Sequence, residues 1–486
     1  MSLSRTGRRL AVLAAALALA GCASFKGIAP EAKLRTPAVP AAATEPVAPV
    51  APDWWREFGD PQLDALVDTA LRGSPNIGIA RARLRRAQAV TESARSALLP
   101  QVNGALDVTH QRFTENSLYP PPLGGSIQDM ATLQANANWE IDFFGKNESA
   151  LKAALGAARA AEADVAAARV VLASNVARTY FQLVRVQEQL AVAQRALAQR
   201  EHQLQLVRER VQAGLDTSLE LRQSEGALPE ARQQIEALRE QADTTRNALA
   251  ALVGTPDVPA VGALPSIVKI QASTALPAIP ADLIGRRADV AAARFRVEAA
   301  TEDVASTKAQ FYPNINLTGF LGLSSIGLNK LLDLGSLQWG IGPAIRLPIF
   351  DAGRLRANLR GKTADLDVAI ESYNGAVLEA IHEAGDAVAS LRSLDRQRAE
   401  QRQALDAAEG AYDIALQRYH AGLGTYLNVL SAESAVLAQR RLGVDLAARV
   451  LDARVALYRA LGGGYTAAET TLSGTTSPAG ASVATH

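Results

Sequence analysis

Two stretches without a single proline, residues 123 to 228 and 349 to 477, constrain this chain more than any other feature. Proline removes a backbone donor and breaks a helix interior, so runs of this length permit helices far longer than the globular average of about 11 residues. The apolar pattern inside them is heptad-like. Val176, Leu183, Leu190, Leu197, Leu204 and Val211 recur every seventh position, with Val186 and Val207 between them, and Leu405, Tyr412 and Tyr419 do the same in the second stretch. A seven-residue repeat winds helices around one another left-handedly. Helices from Lys146 to an Ala-Gly turn at 213–214, and from Arg354 to a second at 421–422, would each reach about 100 Å at 1.5 Å per residue.

The two stretches belong to an internal duplication. Ala213-Gly214-Leu215-Asp216-Thr217 recurs as Ala421-Gly422-Leu423-Gly424-Thr425, and Phe144-Gly145-Lys146 recurs at the same spacing as Ala352-Gly353-Arg354. Leu99-Pro100-Gln101-Val102-Asn103 answers Tyr312-Pro313-Asn314-Ile315-Asn316 after a small insertion. The reading is of two homologous repeats, 54–260 and 261–465. Each carries a helical segment (about 62–97 and 281–309), two strands (about 100–113 and 131–143, then 314–323 and 338–349) and a long helical hairpin (about 146–250 and 353–460). A Thr/Ser/Gly/Ala-rich tail, 466–486, is expected to be disordered.

The strand segments alternate with period two. Leu133, Ala135, Ala137, Trp139, Ile141 and Phe143 lie opposite Gln134, Asn136, Asn138, Glu140 and Asp142. Their lengths suit a tilted membrane strand of about 9–11 residues, and Phe113, Trp139, Phe143, Trp339 and Phe350 suit an interfacial girdle. Four strands cannot close a barrel, and lipid tolerates no open edge. Two chains would give eight strands and a filled interior; three would give twelve strands and a lumen, continued by a hollow cylinder of helices. Such an object is a conduit. A solid helical rod, that is a structural envelope lipoprotein, is the competing reading.

The amino terminus supplies the compartment. Arg5, Arg8 and Arg9 precede an apolar run from Leu10 to Ala20, which at about 16 Å is too short to span a bilayer. It reads as a signal peptide, residues 1–21. Its ending, Leu19-Ala20-Gly21-Cys22, resembles the lipobox of bacterial lipoproteins, which implies a covalent lipid on Cys22, the chain's single cysteine. Ala23, in place of an inner-membrane-retaining aspartate, favours the outer membrane. The Pro/Ala-rich residues up to 53 read as an N-terminal tether, 22–53.

Composition excludes other classes. A net charge of +1 with 48% hydrophobic residues is neither that of a disordered chain nor that of a nucleic-acid binder. The five histidines, His110, His202, His382, His420 and His486, show no metal-ligand spacing, and no nucleophile elbow or phosphate loop is present. No enzyme, no metal and no cofactor beyond the lipid is expected.

An ordered set of motifs then makes the chain resemble the TolC/OprM outer-membrane efflux family, in its lipidated NodT-type branch. It includes Pro52-Asp53-Trp54-Trp55 with Phe58, Asp60-Pro61-Gln62-Leu63 and Ser74-Pro75-Asn76. Trp139-Glu140-Ile141-Asp142-Phe143-Phe144-Gly145, Ile284-Gly285-Arg286-Arg287-Ala288-Asp289-Val290 and Phe311-Tyr312-Pro313 follow. Leu347-Pro348-Ile349-Phe350-Asp351-Ala352-Gly353-Arg354 and Ala460-Leu461-Gly462-Gly463-Gly464 complete it. The resemblance covers about residues 50 to 465. It implies a mixed α and β membrane protein with a trimeric fold, a twelve-stranded outer-membrane β-barrel (four strands per chain) continued by a long periplasmic α-helical barrel. It implies a homotrimer among outer-membrane lipids that works with a periplasmic adaptor (membrane fusion protein) and an inner-membrane pump of the resistance-nodulation-division class. The cargo would be drugs or other small toxic compounds; a type I protein secretion channel is the alternative.

Site expectations follow from the same resemblance. The helix-turn-helix tips should meet the adaptor, with Arg210, Gly214, Leu215, Tyr419, Gly422 and Leu423 as contact residues. Closure at rest is expected just after the second tip. There the family commonly carries an aspartate, and this chain has Ser431. Closure is therefore expected from apolar packing at Leu427, with an acidic filter supplied by Asp216, Glu220 or Glu433. The alternative for Leu427 is an ordinary seam position facing a neighbouring helix.

Overall fold

The computed structural model describes residues 25–35, 50–116, 118, 120–255, 264–267, 270 and 283–466. The signal segment, Cys22, residues 36–49 and the tail beyond 466 lie outside the described residues.

The expected first helical segment is two helices, α1 (Pro61–Gly73) and α2 (Pro75–Ser96), divided where Ser74 turns extended ahead of Pro75. Asp60 caps α1, its Oδ1 accepting from the Gln62 amide at 2.9 Å. The strands β1 (Gln101–Arg112) and β2 (Ile127–Ile141) follow, then α3 (Lys146–Gln212) and α4 (Ser218–Val253). The second repeat supplies α5 (Ala288–Ala309), β3 (Asn314–Ile326), β4 (Leu337–Arg346), α6 (Arg354–His420) and α7 (Tyr426–Ala460). Both α3 and α6 are 67 residues long, about 100 Å each. Pro229 sits inside α4 without ending it.

The four strands form one antiparallel meander, β1-β2-β3-β4. Register places all the alternating apolar positions on one face: Leu106 opposite Leu133, Leu133 opposite Leu323, Leu321 opposite Trp339 and Ile315 opposite Ile345. The other face is polar, with Thr132 Oγ1 and Ser324 Oγ in contact at 3.2 Å. One girdle residue departs from expectation. Phe113 is 4% exposed, because the loop returning to β2 folds over it, the Gly125 amide donating to its carbonyl at 2.9 Å. Among the described residues no helix is long and apolar enough to cross a membrane.

Below the sheet the helices stand side by side. Near the sheet the order is α2, α3, α5, α6; farther away it is α4, α3, α7, α6. Thus α3 and α6 run the full length, and shorter helices fill the spaces between them. Gly156 of α3 lets α5 approach closely, since a Cβ there would meet Ala299 Cβ at 3.0 Å. The main core lies at mid-height, where Trp54, Trp55 and Phe58 pack on Tyr180, Phe181, Leu183 and Val455. The Tyr180 hydroxyl donates to Asp60, and Tyr458 donates to Glu57 while its ring stacks on Trp54 at 5.3 Å.

The expected tether is not free along residues 25–35. The Glu31 and Ala32 amides both donate to Asp367 Oδ1 at 2.9 Å, and Asn374 bridges the Arg35 amide and the Lys33 carbonyl, each at 2.9 Å. Phe25 packs edge-on against Phe311, beside the start of β3. Proline and alanine gave no periodicity to read, because the contacts are made by backbone to polar side chains of α6.

Candidate functional site at the helical tips

At the end farthest from the sheet both hairpins reverse through the same turn. Gly214 and Gly422 take φ of 71° and 72°, a region that an L side chain enters only with strain. The Leu215 amide then bonds the Arg210 carbonyl at 2.9 Å, and the Leu423 amide bonds the Arg418 carbonyl at 2.8 Å. Leu215, Leu219 and Leu423 are left exposed on the rim.

The two turns differ in what they hold. Thr217 and Glu220 form a capping box on α4: the Leu219 amide donates to Thr217 Oγ1 at 3.2 Å, and the Thr217 amide to Glu220 Oε2 at 3.1 Å. The Thr217 hydroxyl also donates to Glu220, and this bond foremost, with those from the backbone amides of Glu220 and Thr217, holds the Glu220 carboxyl below its ordinary range. At the second turn Thr425 makes no side-chain cap.

A charged cluster ties one turn to the other. Asp216 accepts from Arg210 Nε at 2.9 Å and Nη2 at 3.3 Å, and from the Tyr419 hydroxyl of the second hairpin. The Arg210 guanidinium lies 4.6 Å from the Tyr419 ring centre, a cation–π arrangement. Burial alone would raise the Asp216 carboxyl. The bonds from Arg210 and Tyr419, with the arginine charge, outweigh burial and hold it below the carboxylate range. Burial and the bond to Asp216 push the Tyr419 phenol upward, so it stays a donor. Beneath the cluster Val207, Tyr419, Tyr426 and Val429 form a small core.

Farther up the helices, Arg200 of α3 meets Glu433 of α7 at 3.3 Å and donates to the Ala227 carbonyl of α4 at 3.2 Å. Glu433 is 2% exposed. Burial raises its carboxyl, against the opposing charge of Arg200. Tyr412 accepts from Gln199 and, at 2.7 Å, from Gln203.

The site residues read from sequence thus separate into three groups. Arg210, Asp216 and Tyr419 come together, which the residue types did not announce. Gly214, Leu215, Gly422 and Leu423 form the rim. Leu427, 56% exposed, and Ser431 share an outward face of α7, so within the protomer Leu427 is not a seam residue. The three acidic filter candidates each have partners within the chain. Within the chain Asp216 is committed to Arg210 and Tyr419, Glu220 to its cap, and Glu433 is sealed between helices, so none of the three is an unengaged carboxylate. No group of three or more His, Cys, Asp or Glu fit to hold a metal occurs among the described residues.

Known proteins share this architecture. A family model described as outer membrane efflux protein matches residues 66–255 and 279–463. The chain is 34% identical over 420 residues to the pyoverdine export outer membrane protein OpmQ of Pseudomonas aeruginosa, covering 85% of this chain and 87% of that one. It is 32% identical over 427 residues to the multidrug resistance outer membrane protein MdtP of Escherichia coli, covering 85% and 86%. The fusaric acid resistance protein FusA of Burkholderia cepacia is 38% identical over 365 residues, 73% of this chain and 69% of its own. Among solved structures, the outer membrane protein VceC of Vibrio cholerae superposes with a TM-score of 0.81 at 35% identity, covering 86% of this chain and all of that one. These likenesses and the four-stranded, long-helix protomer agree: the chain has the TolC-like trimeric channel fold, is a passive outer-membrane channel component of Gram-negative efflux systems and not an enzyme, and belongs to the outer membrane efflux protein family.

Proposed function

We propose that this channel works as a homotrimer that receives small toxic organic compounds from a resistance-nodulation-division pump through a periplasmic adaptor docked on the helical tips. The observation that carries the trimer is the sheet. Its four strands leave β1 and β4 as edges, and in lipid each edge needs a partner strand. Three copies give twelve strands, the twelve-stranded barrel of the proposed assembly, and continue it with a hollow ring of helices. The small-molecule cargo is supported by relatives named for multidrug resistance, fusaric acid resistance and pyoverdine export.

In this reading Leu215 and Leu423 give the adaptor an apolar rim, and the Arg210–Asp216–Tyr419 cluster holds the hairpins together at rest. Three Leu427 side chains meet on the axis, where a hydrophobic constriction closes a pore by dewetting. Cys22 carries the lipid. This reading is supported by Phe25, three residues after that cysteine, which packs beside Phe311 at the sheet end of the molecule, where a membrane anchor is needed.

Deleting the gene in its host should lower the inhibitory concentration of aromatic acids and dyes, and the full chain should restore it. Unchanged tolerance across such a panel, with loss of a secreted polypeptide instead, would replace small-molecule export by protein secretion.

A further inference from the structure

We propose that α2 docks against α6 of the neighbouring copy along an antiparallel seam of small residues flanked by matched charges. The inference rests on the trimer reading above and gives that assembly a specific side-chain interface outside the membrane.

Topology brings the two helices together. If β1 of one copy pairs with β4 of the next, the helix that leads into β1 must lie beside the helix that leaves β4. The first is α2, ending at Ser96 just before Gln101; the second is α6, starting at Arg354 after Arg346. One runs toward the sheet and the other away from it.

Both helices present an unpartnered face. Of its residues α2 buries only Ile77 and Thr91, on the side that packs against α3. Its opposite side carries exposed Ala82 and Ala89. On α6 the N-terminal segment occupies the side of Asp367 and Asn374, and Gly361, Ala364 and Val368 stay open. A Cβ built on Gly361 would meet nothing within 4 Å. A glycine inside an exposed helix costs stability with no local return, which is explained if another helix backbone approaches there.

The heights agree. Ala89 lies seven residues before the end of α2 and Gly361 seven after the start of α6, about 10 Å below the sheet for each. Ala82 and Val368 lie at about 21 Å.

The charges then match in order. Descending from the sheet, α2 presents Glu92, Arg86 and Arg81, negative, positive, positive; α6 presents Arg360, Asp365 and Glu371, positive, negative, negative. All six are exposed, as is Arg85, which adds a second positive charge at the level of Arg86. Among the described residues Glu92, Arg86, Arg81 and Arg360 make no ion pair within the chain. Asp365 lies 3.5 Å from Lys362, and Glu371 accepts from Asn374 at 3.2 Å. A parallel or shifted arrangement of the helices would place like charges together.

The test uses the full chain in detergent-solubilised outer membranes. An Ala89→Cys/Gly361→Cys double variant should form a covalent ladder up to trimer with a short thiol cross-linker, whereas each single variant and the parent, with only Cys22, should not. Arg86→Glu should reduce the trimer surviving at moderate salt several-fold, and adding Asp365→Arg should restore it. A trimer of normal native mass that yields no ladder from the double variant overturns the seam and leaves the trimer standing. A parent chain whose native mass is not that of a trimer overturns the assembly reading, and the seam with it.

Discussion

The hydroxyl of Tyr419 donates to the carboxylate of Asp216, so a single hydrogen bond joins the tips of two hairpins whose residues lie 203 positions apart in the chain. Arg210 completes the tie from the first hairpin. Any motion that parts the tips must break a bond to a charged acceptor, worth about 1.5–3 kcal/mol.

That bond sets a pH response with a definite sign. The Asp216 carboxyl is held below its ordinary value, so its stabilisation is fully present above the unfolded-state value and is lost as pH falls through the folded one. The tie should hold across neutral pH and loosen only in strongly acid solution. Single-channel recordings should show rising open probability below the ordinary carboxylate range. Asp216→Asn and Tyr419→Phe should raise resting conductance at pH 7 about tenfold, the equivalent of ~1.4 kcal/mol, and flatten the acid response in the asparagine variant. Parental closure in both variants would refute the tie.

Glu433 behaves differently. Removing its charge strands Arg200 between helices, and breaking such a buried pair costs about 3–5 kcal/mol. Glu433→Gln should lower the melting temperature of the purified protein, while Arg200→Leu with Glu433→Leu should recover most of the loss. Cation preference in a salt-gradient reversal-potential measurement should stay as in the parent. A marked change in selectivity without loss of stability would restore Glu433 to the pore lining.

Much of this was legible in the sequence, and the failures have physical causes. Missing prolines and heptads marked α3 and α6, and period-two alternation marked β2, because each pattern is fixed by backbone geometry. Side-chain destination is not. Glu433 follows Tyr426 and Val429 at helical spacing, on the buried stripe of α7, and a charge on an apolar stripe signals a buried partner rather than a pore. Phe113 has the parity of Asp107, Thr109 and Gln111, on the polar side of β1, and the loop after β1 folds over it. The N-terminal segment offered no pattern at all, since Asp367 and Asn374 recognise its backbone.

The lipid is the next test. Phe25 is held beside Phe311, and the Lys26 carbonyl accepts from Arg356 at 3.1 Å, so the chain is fixed within a few residues of Cys22. Cys22→Ser should abolish incorporation of radiolabelled palmitate while the protein still reaches the outer membrane, because the proposed barrel inserts independently of the anchor. Undiminished labelling in the serine variant would rule out Cys22 as the acceptor.

Leu427 carries the closing prediction. It is 56% exposed in the protomer, so truncation there should cost little folding stability, within about 0.5 kcal/mol. Ser431, four residues on along the same face, brings no charge at this level. With no charge at that position, the proposed constriction rests on apolar contact among three copies to exclude water. Leu427→Ser should therefore leave the melting temperature unchanged, raise resting conductance and make cells sensitive to antibiotics too large for ordinary porins. Leu427→Phe should keep the pore shut, and Ser431→Asp should add cation preference without opening it. The opposite pattern, a silent Leu427→Ser and a leaky Ser431→Asp, would move the constriction one turn up the helix.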